Sequence, residues 1–178
     1  MGSSVANALI SVEEYLSNPA YEHCEYIDGE IQELNLGTYS HSGIQMRCGR
    51  KLLEYFDSRP GGYVGSELHC RLQIGGTVRF RLPDIAVVLG TRSGKYLDRG
   101  PDLVVEIRSP EDSIASQFRK LDDYFANGTK LAWIVLPEEM SVFVVQPDGN
   151  VRTVVSGEAL DGGAVLPDLR IEIDYLFS

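Results

Sequence analysis

The sequence predicts an α+β (mixed α/β) fold in which helices flank one central sheet, with extra N-terminal and C-terminal hairpins. Three observations carry this. Short apolar runs of strand length recur along the chain, and "LVVEI" and "LAWIVL" are apolar enough to be buried on both faces. Two longer segments carry apolar residues at helical spacing. Helical and strand patterns also follow one another in mixed order rather than in strict alternation. At 178 residues the chain is long enough for one sizeable core, and residues 11–178 read as a single domain behind a frayed start over residues 1–10.

The elements follow in order. "SVEEYL" opens with a capping-box pattern, Ser11 and then Glu14, and starts a short helix ending near Asn18-Pro19. "CEYIDGEIQEL" has the form of a hairpin turning at Asp28-Gly29. In "SHSGIQMRCGRKLLEYFDSRPGG", Ile44, Cys48, Leu52 and Tyr55 or Phe56 recur at helical spacing, and Gly61-Gly62 closes the segment. "YVGSELHCRLQI" and "TVRFRL" flank Gly75-Gly76 as a second hairpin. In "SPEDSIASQFRKLDDYFANG", Ser109 is the expected N-cap, with Pro110 at the first helical position and Gly128 past the end. Ile114, Phe118, Leu121 and Phe125 form its expected apolar stripe. "LAWIVL" is a buried strand, "SVFVVQ" and "VRTVV" make a third hairpin, and the tail reads as turns, a strand and a short terminal element.

Composition narrows the function classes. No apolar stretch approaches the roughly 18 residues of a membrane span, and no signal peptide is evident, so a cytoplasmic protein without a membrane partner is expected. Cys24, Cys48 and Cys70 are odd in number and widely spaced, which suits reduced core thiols rather than a disulfide or zinc framework. A net charge of −10 argues against a general nucleic-acid coat. The charge is uneven, however. Residues 47–130 hold 14 basic and 11 acidic side chains, and the remainder holds 2 and 15.

One feature conflicts with burial. "RLPDIAVV" and "GPDLVVEIRSP" are two apolar runs, each opened by Pro-Asp, and the second contains Glu106. If they pair as an antiparallel hairpin centred on Lys95, Asp84 lies opposite Glu106. The two carboxylates then share a face with Cβ atoms about 5 Å apart. Repulsion and desolvation oppose that arrangement, and a divalent cation such as Mg²⁺ removes the conflict while keeping waters for hydrolysis. Three other readings stay open at this level: Asp84 as a turn cap, Glu106 paired with Arg108 or Arg81, or a register shifted by two. Arg108 stands two residues past Glu106 on the same face, and Lys120 borders the apolar stripe of the next helix, so each is a candidate cation.

"YIDGEI", "SHSGI", "VRFRLPDIAVV", "GPDLVVEIRSPEDS", "KLDDYFANGTKLAWIVLPEEMSVFVVQPDG" and "LDGGAVLPDLRIEIDYLF" together resemble the Uma-type restriction endonuclease family. This is a bacterial family of the PD-(D/E)XK nuclease superfamily. The resemblance runs from about Ser11 to Phe177. It implies a restriction-endonuclease-like core, with Asp84 and Glu106 as ligands of Mg²⁺ (or Mn²⁺ in its place). Arg108 falls where the superfamily usually carries lysine, and Lys120 matches a lysine displaced to the following helix. His41 and Glu30 also match the family pattern and are expected to support the site. The implied activity is metal-dependent hydrolysis of DNA, with Lys120 assigned to water activation or charge stabilisation, its amine pKa lowered if a metal lies beside it, and Arg108 in a supporting role. A homodimer would suit double-strand cleavage. The competing readings are a non-catalytic binding or oligomerisation module on the same fold, and a phosphodiesterase acting on RNA or a small molecule.

Overall fold

The structure, a computed structural model, describes residues 9–34 and 37–178. Ser11 caps α1 (Val12–Ser17) by accepting the Glu14 N–H, and a 3₁₀ turn over Pro19–Tyr21 follows. Strands β1 (Cys24–Ile27) and β2 (Glu30–Glu33) form the first hairpin. Asp28 and Gly29 both adopt positive φ (52° and 95°), as a tight primed turn requires. The expected frayed start lies mostly outside the described residues. Ile10, at its end, donates its N–H to the Gly29 carbonyl.

The long helix α2 (Tyr39–Asp57) is capped by Thr38 and buries Ile44, Cys48 and Leu52, the predicted face. Next come β3 (Gly62–Gly65), β4 (Cys70–Ile74), β5 (Thr77–Arg81), β6 (Ile85–Leu89) and β7 (Leu103–Ile107). They are followed by α3 (Ile114–Phe125), β8 (Leu131–Leu136), β9 (Ser141–Val145), β10 (Val151–Val154), β11 (Ala159–Gly162), β12 (Leu166–Glu172) and α4 (Ile173–Leu176).

Among the described residues the expected central sheet is accompanied by a second sheet around the N-terminal hairpin and by a separate C-terminal hairpin. A six-stranded sheet has the order β10-β9-β8-β7-β6-β3, a four-stranded sheet has β2-β1-β5-β4, and β11 pairs with β12 alone. The stretch expected to run as one strand from Tyr63 to Ile74 is split between sheets. Gly62–Gly65 pairs with β6 at the edge of the large sheet, and only Cys70–Ile74 pairs with β5. Gly62 allows the close approach: a Cβ there would lie 1.9 Å from the Phe56 ring.

In the large sheet only β7 and β8 run parallel, joined by the α3 crossover. Residue parity assigns the two faces. Ile85, Val87, Val105 and Trp133 join α2 residues Ile44, Cys48 and Leu52 in one core. Val104, Ala132 and Ile134 pack against Leu121 and Tyr124 of α3 in the other. Each fully buried large side chain contributes roughly 1.5–3 kcal/mol. All three cysteines are free and buried.

The crossover helix begins later than expected. Its N-cap is Ser113, whose hydroxyl accepts the Ser116 N–H. Residues 109–112 form a separate turn, closed by the Asp112 N–H on the Ser109 carbonyl. The buried line is also rotated from the predicted stripe. Gln117, Leu121 and Tyr124 are buried, while Ile114, Phe118 and Phe125 flank them.

Candidate active site

Strands β6 and β7 pair with Ile85 opposite Val105 and Ala86 opposite Val104, the register expected from a loop centred on Lys95. One step outward, Asp84 stands opposite Glu106. Pro83 removes a ladder donor and ends the preceding strand, so Asp84 sits at the mouth of β6 rather than inside it. Its position is well determined. The Ile107 N–H donates to Asp84 Oδ2 at 2.6 Å, and Gln45 of α2 donates to its backbone carbonyl at 2.8 Å. His41 Nε2 lies 3.2 Å from Asp84 Oδ1. That contact holds the imidazole pKa above its ordinary value, against the opposing effect of burial.

Glu106 is 3% exposed, on the face of the sheet that α3 covers. Tyr124 donates its hydroxyl to Glu106 Oε1 at 3.0 Å, and Lys120 Nζ lies 3.4 Å from Oε2. Burial pushes the Glu106 carboxyl up to about 7, and Asp84 and Glu25 add repulsion. Lys120 and Tyr124 pull the other way. Burial alone would lower the Lys120 ammonium, but Glu106, Glu25 and Asp84 outweigh it and hold it above the ordinary lysine range. In this arrangement, with no metal ion beside it, Lys120 is a cation.

His41, Asp84, Glu106 and Lys120 line one polar cleft of about 180 Å³. Two expected members are not brought to it. Arg108 Nη2 bonds Glu138 and Glu139 of the β8–β9 turn at 2.9 and 3.0 Å. It lies one residue beyond β7, with its N–H still on the Val135 carbonyl of β8. Glu30 is exposed on β2. The acid that this hairpin sends inward is Glu25. Its carboxylate bonds Arg81 at 2.7 Å, accepts the Leu82 N–H and stands 3.7 Å from Lys120. Arg81 in turn bonds Asp123 of α3, so alternating buried charges tie the small sheet, the helix and the cleft together. An acid inside the apolar strand "CEYI" is the same signal that singles out Glu106, and it marks Glu25 equally well.

Gln117 is the other unforeseen residue. It lines the cleft, is 1% exposed and donates Nε2 to Asp112 at 3.1 Å, while its buried Oε1 has no partner. Asp112 accepts only, which orients the amide with its oxygen free. Among the described residues no group of three or more His, Cys, Asp or Glu side chains has metal-binding spacing. Two carboxylates and an unpartnered amide oxygen nevertheless make a hard-oxygen donor set. It fits Mg²⁺ or Mn²⁺, ions that commonly use one or two carboxylates and keep several waters.

Comparison with known proteins places the chain in a family and a fold. The family model described as "Uma2: Putative restriction endonuclease" matches residues 12–174. A crystal structure from Anabaena variabilis, described as "a putative nuclease belonging to DUF820", superposes with a TM-score of 0.82 at 25% identity. That match covers 94% of this chain and 97% of the other. "Uncharacterized protein slr1290" of Synechocystis is 32% identical over 105 residues, which is 57% of this chain and 54% of that one. The match thus spans about half the length of that curated relative. No helix among the described residues is long and apolar enough to cross a membrane.

Proposed function

The chain belongs to the Uma2 restriction endonuclease family, and on that premise we propose that it is a metal-dependent endonuclease hydrolysing DNA phosphodiester bonds at the Asp84–Glu106–Lys120 cleft. The observation that carries this reading is the convergence of Asp84 and Glu106 from adjacent strands, with the Lys120 ammonium 3.4 Å from Glu106. Anions this poorly solvated are held close only at a cost, and such a cost is commonly found at functional sites.

Asp84 and Glu106 would hold Mg²⁺ or Mn²⁺, with Gln117 Oε1 as a neutral donor to it or to its water. Bound there, the ion would supply charge neutralisation at the phosphate and lower the pKa of a coordinated water. Lys120 contributes a fixed positive charge that stabilises charge developing on the phosphoryl oxygens. His41 orients Asp84 and is a cleft group whose proton can move near neutral pH. The backbone N–H of Ile107 fixes the second Asp84 oxygen. Two copies acting together would cut both strands of a duplex.

The test is nicking of supercoiled plasmid in Mn²⁺ by the wild type, Asp84→Asn and Lys120→Met. Wild-type nicking that needs Mn²⁺ and is lost in both variants is expected. The net charge of −10 favours one alternative, a non-catalytic binding module on the same fold. Wild type that is inert on both DNA and RNA at every Mn²⁺ concentration would favour that alternative.

A further inference from the structure

A second hollow, of about 380 Å³, adjoins the cleft, and Glu67 lines both. Four rings, of Tyr15, Tyr21, His69 and Tyr96, stand in its walls. Tyr15 is buried at the base, with the Tyr21 ring nearly parallel to it at 13° and 6.5 Å between centroids. The His69 and Tyr96 rings lie 5.7 Å apart, tilted by 48°. Past Lys95 and Tyr96 the surface continues into a third hollow, of about 330 Å³, on the loop between β6 and β7.

That loop is a local exception in an acidic protein. Residues 90–100 carry Arg92, Lys95 and Arg99 against a single acid, Asp98. Arg99 is bonded to Asp102 at 2.9 Å. Arg92 and Lys95 have no carboxylate at ion-pair distance among the described residues. Each instead lies over a ring: Arg92 over Tyr63 at 4.9 Å, Lys95 over Tyr96 at 5.1 Å.

We propose that the two hollows and the cleft form one track for an unpaired DNA strand. Phosphates pass Arg92 and Lys95, one base unstacks against the Tyr15, Tyr21, His69 and Tyr96 rings, and the adjoining phosphodiester reaches Asp84 and Glu106. This rests on the endonuclease reading and specifies its substrate. Aromatic faces accept any base by stacking, and free cations follow a backbone. Glu22 and Glu67, also in the aromatic hollow, repel a phosphate but accept the exocyclic amino groups of a base. That favours a base over a phosphate in this hollow. His69, held below the ordinary histidine range by burial, adds a neutral hydrogen-bonding edge. Bases stacked inside a duplex cannot present their faces to these rings.

The experiment measures fluorescence anisotropy of a labelled 12-nucleotide strand and of its blunt duplex, in EDTA, across a salt series. The full-length wild type should bind the single strand more tightly than the duplex. Tyr21→Ala should weaken single-strand binding about ten-fold, and Tyr21→Phe should restore it. The exposed double variant Arg92→Ala/Lys95→Ala should reduce the salt slope by about 1.4, from two lost phosphate contacts. Equal wild-type affinity for strand and duplex, or unchanged binding by Tyr21→Ala and the double variant, overturns the track. Plasmid nicking in Mn²⁺ separates the two readings. Nicking that persists alongside unchanged binding means the track alone fails. Single-strand binding with the expected losses but no nicking means the endonuclease reading fails.

Discussion

Replacing Lys120 by methionine keeps most of the stem and removes the ammonium that faces Glu106 at 3.4 Å and Glu25 at 3.7 Å. In the wild type, burial raises Glu106 from 4.5 to about 7. Between those values the folded state holds a proton that the unfolded chain has released. Stability therefore falls as pH rises through this window and levels off above it, by about 3 kcal/mol in all at roughly 1.4 kcal/mol per pH unit. Without Lys120 the folded Glu106 carboxyl rises further, so the window extends upward and the variant keeps losing stability where the wild type no longer does. Removing one partner of a buried pair typically costs about 3–5 kcal/mol. Lys120 is 22% exposed, which places the loss near about 3 kcal/mol at pH 9, and for a chain of this length lowers Tm by roughly 6–12 °C. At pH 5, with Glu106 protonated in both proteins, most of the difference should vanish. Adding Glu106→Gln to the variant should recover part of the loss at pH 9. The assay is thermal and urea unfolding in EDTA from pH 5 to 9. A Lys120→Met protein as stable as the wild type at pH 9, or a difference that does not change with pH, refutes the reasoning.

Asp84→Asn should weaken Mn²⁺ binding at least ten-fold by calorimetry, since it removes one of two anionic donors; equal isotherms would remove Asp84 from the ligand set. The same change should cost metal-free stability at pH 5.5 and less at pH 8.5. The raised His41 contributes its Asp84 pairing fully below 6.5 and loses it as pH rises through the folded value, and unfolding at the two pH values measures this. Arg108→Ala should nick plasmid within a few-fold of wild type because its partners are Glu138 and Glu139, outside the cleft; abolished nicking would return Arg108 to the site. Gly100→Ala should destabilise by about 1–3 kcal/mol in urea unfolding, because the added Cβ would lie 2.4 Å from Thr129 Oγ1 and 2.7 Å from the Tyr124 carbonyl; an unchanged midpoint would show that the α3–β8 connection yields.

The sequence by itself determined whatever depends on neighbours along the chain. Ser11 caps its helix, Asp28-Gly29 turns its hairpin, and Ile44, Cys48 and Leu52 share a buried face, because period and turn chemistry are local. The pairing of Asp84 with Glu106 was legible for the same reason: a single loop joins their strands, and its centre sets the register. The family resemblance, read from motifs spread along the chain, extended this to Lys120 and His41, and both line the cleft. Only the tertiary structure decided which charges meet across elements. Alternation and register put Glu25 and Glu30 on the same face of the hairpin, since Ile27 stands opposite Glu30, but do not say which part of that face is covered. Packing of that hairpin against β5 buried Glu25 beside Arg81 and left Glu30 exposed. Arg108 follows the last residue of β7, and two glutamates of the next turn, which no local pattern places beside it, took it from the site. Gln117 became a cleft residue because α3 settled with Leu121 and Tyr124 against the sheet, which rotated the predicted stripe and turned an amide oxygen inward. A strand's period fixes two faces and a helix's period a stripe. Which of them becomes interior depends on contacts between segments far apart in the chain, and no local pattern encodes those.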